Sequence, residues 1–330
     1  VTGGIGTETM NRREILALLA SGAAWAGSAV AAPAQLRKVR VGKAIISSFP
    51  FSGLELGVSQ GFWKALGLDV EVSTFAGDGR LQQALAAGSL DFGFGSGPGM
   101  GYAAKGVPAH AVAVVANRPS NMVLVVTKDV TKLDDLKGKR IGVSTAGSLT
   151  DWLARKIAVS RNWKTSDVEI VPMGDMRTRL AAMRRGELSA AVTSLQEAYE
   201  IRDSGQGNVL TTFGDFVPNF HTHVIFARDQ WIEKDPELVG NFLKGWFTTA
   251  NFMRTHRAEA VKAAVATMKL SEKVIDESYP TEIGMMSYDG QFDPKAIEVI
   301  RASLKDLQIL DFVPETAAMY NGKFVPVKLN

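Results

Sequence analysis

Residues 69–91 read DVEVSTFAGDGRLQQALAAGSLD, and residues 167–189 read DVEIVPMGDMRTRLAAMRRGELS. The second stretch repeats the grammar of the first. Asp69-Val70-Glu71 answers Asp167-Val168-Glu169, and Gly77-Asp78 with Arg80 answers Gly174-Asp175 with Arg177. Gly88-x-Leu90 answers Gly186-x-Leu188, and upstream Arg40-Val41-Gly42 is echoed by Arg140-Ile141-Gly142. Each copy reads as strand, short helix and strand. Two accounts compete: a pair of similar α/β lobes, or two βαβ units alike for generic reasons.

The flanking segments favour two lobes. Val39–Ile46 predicts a strand, followed by a polar and aromatic loop at Ser47–Gly53 and a helix over Leu54–Leu66 that stops at Gly67. Asp78 is placed as N-cap of a helix over Arg80–Ala87, which Gly88 closes. Strands follow at Leu90–Gly95, Ala111–Val115 and Met122–Val126. The second run alternates likewise: strand Arg140–Val143, helix Leu149–Arg161, strand Val168–Val171, helix Met176–Arg185, strand Ala190–Thr193 and helix Gln196–Asp203. Val209–Phe213 and His223–Ala227 read as further strands. From Pro236 onward only helices are predicted, over 236–255, 258–268, 271–279 and 294–306.

This alternation predicts an α/β, two-lobed fold, each lobe a mainly parallel sheet flanked by helices. The helical tail cannot make a sheet of its own and is expected on lobe one. Lobe one is then 32–126 and 226–330, and lobe two is 127–225. Crossings near Val126–Lys128 and His223–Arg228 would tether the lobes while permitting hinge motion.

The chain has 330 residues, 46% hydrophobic and 22% charged, an ordinary globular composition long enough for two cores. Its net charge of +3 is too small to argue for nucleic acid. Cysteine is absent, which excludes disulfides, thiolate metal sites and a Cys nucleophile or lipid anchor. Arg12-Arg13, a mild Ala- and Gly-rich run and Ala29-Val30-Ala31 read as a secretory signal peptide of twin-arginine type over residues 1–31, with Met10 as its natural start. A soluble periplasmic protein beginning near Ala32 follows. No later stretch is apolar and long enough to span a bilayer.

In open α/β sheets ligands bind beyond the carboxyl ends of the strands, which selects the loops at 47–53, 95–99, 144–150 and 194–197. In the third loop, Thr145, Gly147 and Ser148 precede a helix whose free N–H groups favour an anion. Set against that is a plain capping box, Ser148-x-x-Asp151, and Asp151 itself competes with an anionic ligand. Ser96 and Gly97 in Gly95-Ser96-Gly97-Pro98-Gly99 either approach a ligand or let two elements pack. Ser47, Ser48, Phe49 and Phe51 floor a pocket or fill the core, and Gln196 opens the helix in the fourth loop. Arg177, with Arg80, clamps an acidic group or pairs with a neighbouring Asp. Asn219 and His221 precede the return crossing. His221 and His223 share a strand face without an evident third metal ligand, so no metal is expected. No G-x-S-x-G, H-E-x-x-H or Walker A sequence occurs.

Four stretches, GLDVEV at 67–72, AGDGRLQQALAAGSLDFGFGSGPG at 76–99, LDDLKGKRIGVSTAGSLTDWLARK at 133–156 and HVIFAR at 223–228, together resemble periplasmic solute-binding proteins of ABC importers. The similarity is to the nitrate/sulfonate/taurine branch with the class II two-lobed fold, and it covers about residues 38–330. It implies a small polar or anionic organic solute held between the lobes, delivery to a permease with a separate ATPase, a monomer, and no cofactor. Sulfonate binders of that branch lack an acid at the position of Asp151, which favours a neutral or zwitterionic ligand. The fold is shared by a thiamine-precursor pyrimidine synthase, whose cysteine-rich motif has no counterpart here. A periplasmic enzyme on the same fold, pyrimidine-synthase-like or hydrolytic, and a ligand-presenting sensor subunit are the rival readings.

Overall fold

A computed structural model describes residues 1–4, 35–214, 216–306 and 309–329. Leu36–Asn330 forms one compact unit. The signal-peptide reading falls almost wholly on residues outside the described ones. Among the described residues no helix is long and apolar enough to cross a membrane.

Two five-stranded sheets organise this unit. The first has the order β2-β1-β3-β10-β4, with β1 Arg37–Lys43, β2 Leu68–Thr74, β3 Phe92–Ser96, β4 Ala109–Ala116 and β10 His223–Arg228. The second has the order β7-β6-β8-β5-β9, with β5 Met122–Val126, β6 Arg140–Val143, β7 Glu169–Pro172, β8 Ala190–Ser194 and β9 Asn208–Thr212. In each sheet four strands point one way, and the fourth in order, β10 or β5, runs against both neighbours. The two orders superpose strand for strand, which settles the repeat in favour of two similar sheets.

The repeated letters have the same packing job in both. A Cβ on Gly42 would lie 2.5 Å from Leu90 Cδ1, and one on Gly142 would lie 2.6 Å from Leu188 Cδ1. The leucine of each Gly-x-Leu therefore seats on the bare glycine of the strand, β1 or β6, that opens its own copy of the repeat. Gly88 (φ 72°) and Gly186 (φ 73°) hold the left-handed turns that aim those leucines.

Eleven helices complete the described chain: α1 Phe49–Ser59, α2 Asp78–Ala86, α3 Gly101–Ala104, α4 Leu149–Ser160, α5 Met176–Arg184, α6 Leu195–Asp203, α7 Asp229–Lys234, α8 Pro236–Thr255, α9 Arg257–Met268, α10 Glu272–Met285 and α11 Pro294–Asp306. Helix α1 starts five residues before its expected start and β1 ends at Lys43, so Ser47–Gly53 is mostly helix. Pro50 in the first turn, where its missing N–H costs nothing, explains the early start. Helix α7 is not among the predicted elements. Helices α8 and α9 pack on α1, as the tail was expected to pack, and α10 also reaches α6. Helix α11 meets α4, where Trp152 Nε1 donates to Ser303 Oγ at 2.7 Å.

The crossings lie elsewhere than expected. Strand β5 pairs with β8 and β9, so the chain passes between sheets over residues 117–121, ahead of 126–128. The return runs over residues 213–222, because β10 is already paired with β3 and β4 from His223. Pairing decides this, since Met122–Val126 is buried throughout and suits either sheet equally well.

Candidate functional site

Register places the crossings against the carboxyl ends of the strands. His223 opposes Ser96 at the end of β3, and Met122 opposes Ser194 at the end of β8. The segments expected to carry a site therefore converge where the two sheets meet. Two contacts join them. Tyr102 Oη donates to Ala146 O at 2.7 Å, and the Gly79 N–H donates to Thr145 Oγ1 at 3.4 Å.

Asp78 departs from its expected role. Gly77 is the residue before α2, and the Asp78 side chain instead accepts from Ser96 N (2.8 Å) and Ser96 Oγ (2.9 Å). It is 3% exposed, and burial raises its carboxyl above the usual range. Asp175, its counterpart, does cap α5, accepting from Thr178 N at 2.9 Å. The helix start at 148 belongs to the capping reading. Ser148 Oγ accepts from Asp151 N, and Asp151 Oδ2 accepts from Gly147 N at 2.7 Å while Oδ1 takes Arg155 Nε at 2.7 Å. The Asp151 carboxylate thus occupies, at the Gly147 N–H, a donor an anion would need. Burial, then the charges of Asp78 and Asp151, pushes the Tyr102 hydroxyl up to about 12, so it stays a donor.

Other candidates separate by what their polar atoms already do. Ser96 Oγ is spent on Asp78 and on the Gly99 N–H. Gly97 is a packing glycine, because a Cβ there would collide with the carbonyl of His221. Phe49 and Phe51 are buried in the core, edge-on to Tyr279 (5.9 Å) and to His223 (4.6 Å). His221 lies before β10 rather than on it, and its Nδ1 meets Asn117 Oδ1 at 3.1 Å while Nε2 accepts from Asp293 N at 3.0 Å. Both ring nitrogens are engaged, so His221 has none left for a ligand. Thr145 is half-buried across the junction, Ser47 is half-buried, and Arg80, Arg177 and Asn219 are exposed.

Several buried atoms have no protein partner among the described residues. Ser48 Oγ, His223 Nδ1, Asn121 Oδ1 and Gln196 Oε1 are all in residues at most 3% exposed. Ser48 and Gln196 are sequence candidates; Asn121 and His223 border the two crossings. Gln82, one turn along α2 from Asp78, leaves both amide atoms unpartnered as well. Buried polar groups of this kind are uncommon in folded proteins and each needs an account.

The densest grouping surrounds Glu282. Asn121 Nδ2 donates to its Oε1 (3.1 Å) and Oε2 (2.9 Å), and Gln196 Nε2 donates to Oε1 (2.7 Å) and to Ser278 Oγ (2.9 Å). Glu282 is fully buried, and burial pushes its carboxyl up to about 7 against the two amide bonds that oppose the shift. Sequence reading passed over Asn121 and Glu282. For Glu282 a signal exists: it falls on the apolar stripe Ile275, Ser278/Tyr279, Glu282, Met285, where an acid is out of pattern. Among the described residues no group of three or more His, Cys, Asp or Glu gathers as a metal site.

A model of the family described as "NMT1/THI5 like" matches residues 48–260, more than half of the chain. The chain belongs to the NMT1/THI5 like family. A putative binding protein of Brucella abortus is 28% identical to this NMT1/THI5 like chain over 215 residues, which is 64% of this chain and 66% of the relative. The match thus spans just under two thirds of that relative's length. The taurine-binding periplasmic protein of Escherichia coli is 30% identical over 56% of this chain and 57% of its own. A Candida albicans protein whose structure shows the generic periplasmic binding protein fold superposes with a TM-score of 0.74 at 17% identity, covering 89% of this chain and 99% of that one. That likeness shows the fold.

Proposed function

We propose that the chain is the substrate-binding component of an ABC importer, holding a small polar organic solute where the two sheets meet and delivering it to a membrane permease and its ATPase. The observation that carries this reading is the set of unpartnered buried atoms, Ser48 Oγ, His223 Nδ1, Asn121 Oδ1 and Gln196 Oε1, on segments at the strand ends and crossings of both sheets. Such atoms destabilise an unliganded protein by about 1–3 kcal/mol each, and a polar solute relieves that cost. Relatives named as binding proteins, one of them taurine-binding and periplasmic, support the same role and a periplasmic location after removal of residues 1–31. The two crossings act as hinges, and the solute shifts the population toward the closed form that the permease recognises. The protein acts as a monomer without covalent chemistry.

A thermal-shift screen against sulfonates, nitrate, amino acids, amides and pyrimidines tests this. A true ligand at roughly 1,000 times its Kd stabilises by about 4 kcal/mol. Conversion of a hit to product, followed by chromatography, would refute the binding role.

A further inference from the structure

The acceptors around Asn121, Gln196 and Glu282 outnumber the donors. Each amide turns its NH2 group onto the Glu282 carboxylate, at 2.7 to 3.1 Å, and an ionised carboxylate requires both orientations, since a flipped amide would then oppose oxygen to oxygen. The two amide oxygens, Asn121 Oδ1 and Gln196 Oε1, are left buried with no donor. Among the described residues Glu282 also lacks a counter-charge. Charged side chains on the elements packed against α10 are spent on one another or face water. Arg202 pairs with Glu277 and Asp203, Lys273 with Asp203, and Arg257 with Asp276. On α6, Glu197 bonds Thr193 and Glu200 takes the Ser271 N–H; on α1, Glu55 holds Lys43; on α9, Glu259 and Lys262 are exposed.

We propose that the solute carries a protonated nitrogen group, an ammonium, amidinium or guanidinium, and that Asn121, Gln196 and Glu282 form the subsite that receives it. Such a group supplies what the cluster lacks, several N–H donors and one positive charge, and charge-assisted bonds of this type are the strong ones. At the start of α4 the Asp151 carboxylate already holds the Gly147 N–H that an anion would take. The inference rests on the solute-binding role proposed above and adds the ligand's chemical class. With the Glu282 carboxyl pushed up to about 7, a cationic ligand expels its proton on binding near neutral pH.

The test is isothermal calorimetry on the wild-type protein with taurine, ethylamine, acetamidine and methylguanidine, set against acetamide, methanesulfonate and nitrate. At least one nitrogen cation should bind saturably, with acetamide, methanesulfonate and nitrate at least tenfold weaker. Glu282→Gln, which keeps the side chain's shape, should weaken that binding at least tenfold. Should the variant fail to fold, titration of the wild type at pH 6 in two buffers of different ionisation enthalpy should show release approaching about one proton per ligand. Binding of methanesulfonate or nitrate in preference to every cation overturns this inference and leaves the solute-binding role intact. Silence from all the nitrogen cations, binding without proton release, or wild-type affinity in Glu282→Gln each overturns it too. The solute-binding role falls separately, only if the wider screen finds no ligand.

Discussion

The Asp78 carboxylate and Ser96 are joined twice, through the Ser96 N–H at 2.8 Å and its hydroxyl at 2.9 Å, with both residues buried. This pair ties the start of α2 to the end of β3. Asp78→Ala strands two buried donors and should cost about 2–4 kcal/mol in urea denaturation. Asp78→Asn keeps one acceptor oxygen and should cost roughly half as much. A loss below about 0.5 kcal/mol for Asp78→Ala would show that the carboxylate does not hold these elements together.

Gly42→Ala and Gly142→Ala each press a methyl against the leucine that follows the second glycine of the repeat, Leu90 and Leu188. Overpacking at each site should lower stability by about 1–3 kcal/mol. The sites lie in different sheets, so the double variant should show the sum within about 0.5 kcal/mol. Leu188→Val combined with Gly142→Ala should recover part of the loss, and a combination no better than Gly142→Ala alone would contradict the contact.

Burial lowers His221 to about 4 and His223 to about 3, so the fold holds both neutral. The unfolded chain takes up these protons as pH falls below about 6.5, so stability from both is lost between there and pH 4, on the scale of roughly 3 kcal/mol each. Glu282, raised to about 7, works in the opposite direction: its contribution is complete below about 4.5 and is lost as pH rises through 7. Urea denaturation from pH 4.5 to 7.5 should therefore show net loss toward acid. His223→Phe should flatten that slope and Glu282→Gln should steepen it; unchanged slopes in both would mean these groups are hydrated in the native state.

Trp152 lies 4.4 Å from the ring of Phe220 and donates to Ser303, joining α4 to the return crossing and to α11. Trp152→Phe and Ser303→Ala should couple in a double-mutant cycle by about 1 kcal/mol. Coupling indistinguishable from zero would mean the tail's grip on α4 is apolar packing alone.

Much of this was legible residue by residue. The echo of Arg40-Val41-Gly42 in Arg140-Ile141-Gly142 marked equivalent strands because a glycine facing a leucine is a local packing need that each sheet meets in the same way. Helix α8 was readable to its ends from Pro236 and its apolar stripe. The start of α1 was not, since Ser47-Ser48-Phe49-Pro50 has loop composition until Phe49 and Phe51 find a core to enter. Among the site candidates, Ser148 and Asp151 could be read either as cap or as ligand contact from their spacing. The choice turned on where the Asp151 carboxylate points, and it points to the Gly147 N–H.

The sequence by itself determined the paired α/β lobes, the helical tail and the strand ends near which a site must lie, because these follow from periodicity, capping and turn residues acting within a few turns of chain. Only the tertiary structure decided which polar atoms remain unsatisfied there. Glu282 meets Gln196 from 86 residues away and Asn121 from 161, and no local pattern encodes that encounter. Folding takes those groups out of water together, and it is this shared burial that leaves one carboxyl without a counter-charge and two amide oxygens without a donor among the described residues.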